Sequence, residues 1–167
     1  TQTATVTITG AGVNNTAPVV SGAVTAALNE DDAAATILNL LDGATDADND
    51  TLTVVNLTLV SGDSTGVVPN GNSLLIDPSV YDSLAVGEVI TLEYSYDIID
   101  GDGGVVAQTG TFVINGTNDL PEFQPRTYTL LEDGDVLTRD LSFLVDDADF
   151  ADVISITSVS LASGPVG

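Results

Sequence analysis

The chain has 167 residues and sets 25 acidic side chains against 2 basic ones, a formal net charge of −23; self-repulsion on this scale opposes compaction and rules against nucleic acid as a partner. There is no Cys, His, Met or Trp, which excludes disulfides, soft-metal sites and nucleophile–His catalysis. Yet 43% of residues are hydrophobic and they alternate in short runs, the pattern of a folded chain rather than a disordered polyanion.

In chain order, Thr3–Thr9 (TATVTIT) alternates and predicts a strand, followed by the turn NNTAP at 14–18. The only helix-like stretch, EDDAAATILNLLDG at 30–43, is surrounded by β-branched and turn residues and is read as strand, then loop. The segment DGATDADNDTL at 42–52 holds Asp42, Asp46, Asp48 and Asp50 with no basic residue among them. Thr51–Val60 alternates, and Pro69–Asn72 (PNGN) is a turn sequence. Val89–Ile99 and Val105–Ile114 are β-branched and aromatic-rich, joined by the glycine turn Asp100–Gly104. Strand periodicity places Tyr94 and Tyr96 in the core. The turn spacing is that of an all-β sandwich. No apolar run reaches the roughly 18–20 residues of a membrane span, and no signal peptide opens the chain, so no membrane insertion is expected. The chain reads as a fragment of something larger or as a mature product.

Three internal matches recur. TATVTITGAGVNNTAP at 3–18 resembles TGTFVINGTNDLP at 109–121; LNEDD at 28–32 resembles LLEDG at 130–134; DADNDTLTV at 46–54 resembles DADFADVISI at 147–156. The offsets, about 101 to 106, define a unit of roughly 100 residues, the size of one small β domain. The expected division is a final strand and linker of a preceding repeat (1–14), a complete sandwich (15–118) and the first half of a following repeat (119–167).

The acidic clusters lie at strand ends and at the unit boundary. Asp46 and Asp48 are two apart, so an extended backbone would point both to one side. Asp100 and Asp102 repeat that spacing in a tight turn, and Asn118 and Asp119 lie in the linker before Pro121. A single Asp is an ordinary turn residue. Recurrence at matched places asks for more, because clustered carboxylates must stay solvated or be neutralised by a cation. Hard oxygen donors point to Ca2+, and a chain without disulfides has use for a metal staple. An EF-hand fails, since Thr51 stands where Gly is needed and Leu57 where the bidentate Glu is needed. The nonapeptide β-roll fails too, because DGDGGVVAQ does not continue.

Together LNEDD, ATDADND (44–50), YDIIDGDGG and TFVINGTND (96–119) and GTNDLPEF (116–123) resemble the calcium motifs of cadherin repeats. The closer similarity is to bacterial cadherin-like repeats of large RTX-type adhesins, including the VCBS type. The resemblance covers essentially the whole chain. It implies a seven-stranded Greek-key sandwich of cadherin or Ig-like type, strung in tandem with Ca2+ clamping each linker. It implies that the 118–121 junction draws on Glu30, Asp77, Asn118, Asp119, Asp147 and Asp149, with Pro78 and Ser79 departing from the family's acidic loop motif and Leu120 standing where a second Asn is common. Glu132 is the counterpart of Glu30 in the second copy. The first junction would use Asn15, Asp46, Asp48 and Asp100, with Thr16 in place of the linker Asp; Asp102 is a further candidate metal ligand. Asp42 and Asp50 are expected to be solvated turn residues.

The implied function is a calcium-rigidified spacer or adhesion module of a secreted or surface-anchored bacterial adhesin. Its partners would be calcium ions, neighbouring repeats and a host-cell, polysaccharide or biofilm surface. The alternative on the same fold is a carbohydrate- or protein-binding module, which would show exposed aromatics beyond the four tyrosines Tyr81, Tyr94, Tyr96 and Tyr128. An enzyme using Glu88 and Glu93 as paired carboxylates is not expected, since nothing suggests the walled pocket that perturbed acid pairs need.

Overall fold

The computed structural model of the chain describes residues 2–3, 14–32, 35–128, 138–150 and 152–159. The strand expected over Thr3–Thr9 (Thr3 apart) and the expected ligand Glu132 lie outside the described residues. The strands are β1 (Val19–Val20), β2 (Val24–Asn29), β3 (Thr36–Asn39), β4 (Ala44–Thr45), β5 (Thr53–Ser61), β6 (Val67–Asn70), β7 (Ser73–Ile76), β8 (Val89–Ile99), β9 (Val105–Asn115), β10 (Glu122–Phe123) and β11 (Val145–Asp146). The 3-10 turns Pro78–Tyr81 and Ser142–Leu144 interrupt them.

The hairpin of β8 and β9 is the backbone of the fold. It pairs without a slip from Val89↔Asn115 to Ile99↔Val105. Alternation sends Leu92, Tyr94, Tyr96 and Ile98 of β8, and Phe112 and Ile114 of β9, to one face, where all are buried. β5 adds antiparallel to β8, and β2 adds parallel to β9, giving a sheet ordered β2-β9-β8-β5. A second sheet, β3-β7-β6, faces it. Leu40 and the β7 residues Leu74 and Ile76 are, like Leu92, Ile98, Phe112 and Ile114, wholly withdrawn from solvent, and all join one apolar cluster. The chain is therefore an all-β sandwich. The Tyr96 hydroxyl crosses the core and donates to the Leu40 carbonyl at 2.8 Å.

Two details depart from the sequence pattern. Residues 69–70 still pair within β6, and the turn falls at Gly71 and Asn72, because Gly71 takes φ +59° while Pro69 is tolerated on an edge strand. In β5 the alternation breaks at Asn56, φ +55°, where the register to β8 shifts between Val55 and Thr58.

At one end of the sandwich β1 pairs with β4, Val19↔Thr45 and Val20↔Ala44, and the Ser21 N–H donates to the Gly43 carbonyl at 3.0 Å. Roughly one repeat length further on, β10 pairs with β11, Glu122↔Asp146 and Phe123↔Val145, and the Gln124 N–H donates to the Leu144 carbonyl at 2.6 Å. Each small ladder leads its chain into an Asp-rich loop.

Candidate metal centres

The loop after β4 winds around a carboxylate. Asp46 Oδ1 accepts the N–H of Asp48 at 2.8 Å and that of Asp50 at 3.3 Å. Asn49 closes the loop at φ +64°. Asp46, Asp48 and Asp50 each then present an oxygen, all within 4.8 Å of one another. Convergence thus comes from a wound loop and not from the extended backbone that the spacing suggested. Asp50, expected to be a solvated turn residue, is half-buried within this group, whereas Asp42 is exposed.

Residues from two other segments reach this pole. Asp48 Oδ2 accepts the Thr16 N–H at 2.7 Å. Asp100, only 4% exposed, takes the N–H groups of Asp102 (2.8 Å) and Gly104 (2.9 Å) on Oδ1 and the Asn15 amide on Oδ2 (2.9 Å). These bonds, the Asn15 amide first, hold the Asp100 carboxyl below its ordinary value. A Cβ at Gly104 would overlap the Asp100 carboxylate, so glycine is required there. Asn15, Asp48, Asp50 and Asp102 line one cleft. Desolvation, followed by the charges of Asp102, Asp46, Asp48 and Asp100, raises the Asp50 carboxyl.

The opposite pole is assembled from four segments. Glu30, directly after β2, is fully buried; Oε1 accepts the Thr117 N–H at 2.5 Å and Oε2 the Leu84 N–H at 2.9 Å. Asp31 accepts from the Thr117 hydroxyl. Asp82 caps the C-terminus of the Pro78–Tyr81 turn. Asp31, Asp82 and Asp119 bring oxygens within 4.8 Å of one another. The Asp119 N–H donates to Asp149 Oδ2 at 3.0 Å, and the Asp149 N–H to Asp147 Oδ1 at 3.1 Å. Asp147, Asp149 and Asp152 form a further group. Desolvation, followed by the charges of Asp82, Asp31, Asp149 and Glu30, raises the Asp119 carboxyl.

Asp77 lines the cleft beside Glu30, Asp31 and Asp82, but its own Oδ1 is engaged by the Ser79 N–H (3.3 Å) and hydroxyl (2.7 Å) as the N-cap of the turn. Asn118 is exposed and its amide donates to the Asp119 carbonyl. Asp31, Asp50, Asp82 and Asp152 were not singled out as ligands from sequence. Asp31, Asp50 and Asp152 lie within the matched acidic motifs, a signal that could have found them; Asp82 carried none.

Among the described residues, three carboxylate oxygens, Asp46 Oδ2, Asp119 Oδ2 and Asp149 Oδ1, are buried without a hydrogen-bond partner. A bare anionic oxygen removed from water is costly unless a cation meets it. Both poles offer oxygen donors alone, the donor set of a hard cation such as Ca2+. The residues present therefore fit that ion. Elsewhere, Tyr81, Tyr94 and Tyr96 are buried. Glu88 and Glu93 are exposed and accept from the Ala85 N–H and the Ser61 hydroxyl.

A family model described as a cadherin-like domain matches residues 14–115. Among solved structures, a nucleoside hydrolase-related hypothetical protein from Saccharophagus degradans, described as associated with carbohydrate metabolism, is 19% identical with a TM-score of 0.36. The alignment covers 61% of this chain and 26% of that one, so this chain spans about a quarter of its length. No curated protein matches.

Proposed function

Because the chain belongs to the cadherin-like domain family over residues 14–115, a family of structural and adhesion modules, we propose that it is a calcium-rigidified repeat. It serves as a spacer in a secreted or surface-anchored bacterial adhesin of the RTX type with VCBS-like repeats. The observation that carries this reading is the placement of Asp119. Its carboxylate meets Asp31 and Asp82, while its backbone N–H is bound by Asp149.

Asp31, Asp82, Asp119, Asp147 and Asp149 would hold Ca2+ at the 118–121 linker, and Asp46, Asp48 and Asp50 would hold it at the other pole. The ion supplies positive charge that offsets the repulsion among these carboxylates. Glu30 fixes the start of the linker by binding the Thr117 and Leu84 N–H groups. The Asp46 loop and the Asp100 turn pre-shape the pole at residues 46–50 by backbone hydrogen bonds. Neighbouring repeats and the extracellular surface are the partners of such a rod.

Calcium at 100 times its dissociation constant adds about 2.7 kcal/mol of stability per site. The test is the thermal midpoint in EGTA and in millimolar Ca2+. A rise of many degrees is expected; equal midpoints would refute the reading.

A further inference from the structure

The two poles share one framework and differ at the linker residue. In each, the second Asp of an Asp-x-Asp pair donates its N–H to the first: Asp48 to Asp46 at 2.8 Å, Asp149 to Asp147 at 3.1 Å. In each, the same oxygen of that second Asp accepts a linker N–H: Asp48 Oδ2 from Thr16 at 2.7 Å, Asp149 Oδ2 from Asp119 at 3.0 Å. The ladders β1–β4 and β10–β11 flank these contacts in the same way. Thr16 and Asp119 therefore hold equivalent places, and their side chains differ. Asp119 offers a carboxylate with a buried, unpartnered Oδ2 beside Asp31 and Asp82. Thr16 is exposed and offers a neutral hydroxyl.

The buried carboxylates differ too. Asp149, 3% exposed, leaves Oδ1 without a partner. Asp100, the buried member of the other pole, has both oxygens occupied by Asn15, Asp102 and Gly104. Among the described residues the C-terminal pole thus leaves two buried carboxylate oxygens unmet, Asp119 Oδ2 and Asp149 Oδ1, and the N-terminal pole leaves one, Asp46 Oδ2.

We infer that the poles are unequal cation sites, and that the residue at the Thr16/Asp119 place decides whether a bound ion ties two segments together. At the C-terminal pole Asp119 makes the ion a bridge between the sandwich and residues 147–149. At the N-terminal pole Thr16 leaves the ion held by residues of the loops at 46–50 and 100–102. A chain of such units would be stiff at one joint and hinged at the other. The inference rests on the calcium reading above.

The test is calorimetric titration of the full chain with Ca2+ at fixed ionic strength. Two classes of site are expected. Because affinity follows the number of charged ligands, Asp119→Thr should weaken one class by roughly tenfold or more and spare the other. Thr16→Asp, at an exposed position that puts folding at little risk, should strengthen that other class by roughly tenfold. Asp50→Asn should weaken the class that Thr16→Asp strengthens. Wild-type binding that neither Thr16→Asp nor Asp119→Thr alters overturns the inference and leaves the calcium reading standing. An Asp119→Thr loss shared equally by both classes also overturns it. No binding by the wild-type chain removes the calcium reading and the inference with it.

Discussion

The Asp119 N–H donates to Asp149 Oδ2 at 3.0 Å across thirty positions of sequence, while Asp149 Oδ1 stays buried with no partner. One contact thus fastens the linker to the following segment and presents an unneutralised oxygen beside it.

Replacing Asp119 with Ala should loosen this joint more than it destabilises the sandwich. The side chain lies outside the apolar core cluster, so only linker contacts are lost. Small-angle scattering in Ca2+ should show a broader distribution of shapes, with the midpoint of the sandwich lowered only slightly. An unchanged shape with a collapsed midpoint would instead place Asp119 in a network on which the core depends.

Without calcium, stability should respond to pH in an unusual direction. The carboxyls of Asp50 and Asp119 lie above the ordinary 3.8. Between 3.8 and those raised values the folded state binds more protons than the unfolded state, so stability falls as pH climbs through that window. Asp63, Asp100 and Asp140 lie below 3.8 and act oppositely, their stabilisation being lost only as pH falls through their lowered values. The metal-free midpoint should therefore rise as pH drops through the raised values of Asp50 and Asp119. With Ca2+ saturating, protons compete with the metal and the trend should reverse. A metal-free midpoint that falls steadily over the same interval would contradict the assignment of Asp50 and Asp119.

Gly104→Ala should destabilise the chain by about 1–3 kcal/mol through overpacking. The new Cβ would overlap the Asp100 carboxylate and approach the Ala17 Cα to 2.7 Å. Urea unfolding in Ca2+ reads the loss, and stability equal to wild type would mean the turn relaxes freely.

Two core substitutions should separate packing from metal. Phe112→Ala removes a ring with no exposed surface, tilted against Tyr94 with centroids 6.2 Å apart, and should cost about 3–5 kcal/mol with or without Ca2+. Tyr96→Phe removes the bond to the Leu40 carbonyl and should cost about 1 kcal/mol. If Ca2+ rescued Phe112→Ala completely, the core and the poles could not be independent sources of stability.

Local pattern alone determined much of this fold. The alternation of Val89–Ile99 and Val105–Ile114 reports which side of the hairpin is buried, because successive side chains of a strand point to opposite faces, and Tyr94 and Tyr96 lie inward as that rule requires. The resemblance to cadherin motifs likewise grouped Asn15, Asp46, Asp48 and Asp100, and the Asn15–Asp100 contact brings two of them together. Tertiary structure decided the rest. The parallel pairing of β2 with β9 joins segments far apart in sequence, and no local period encodes it. Asp82 meets Asp31 and Asp119 only because a 3-10 turn and the end of β2 arrive at the same linker. Asp50 joins Asp46 only because its N–H folds back onto that carboxylate. Strand periodicity is a property of neighbouring dihedrals, legible residue by residue. The convergence of carboxylates is set by where distant turns end, and only the packed sandwich fixes that.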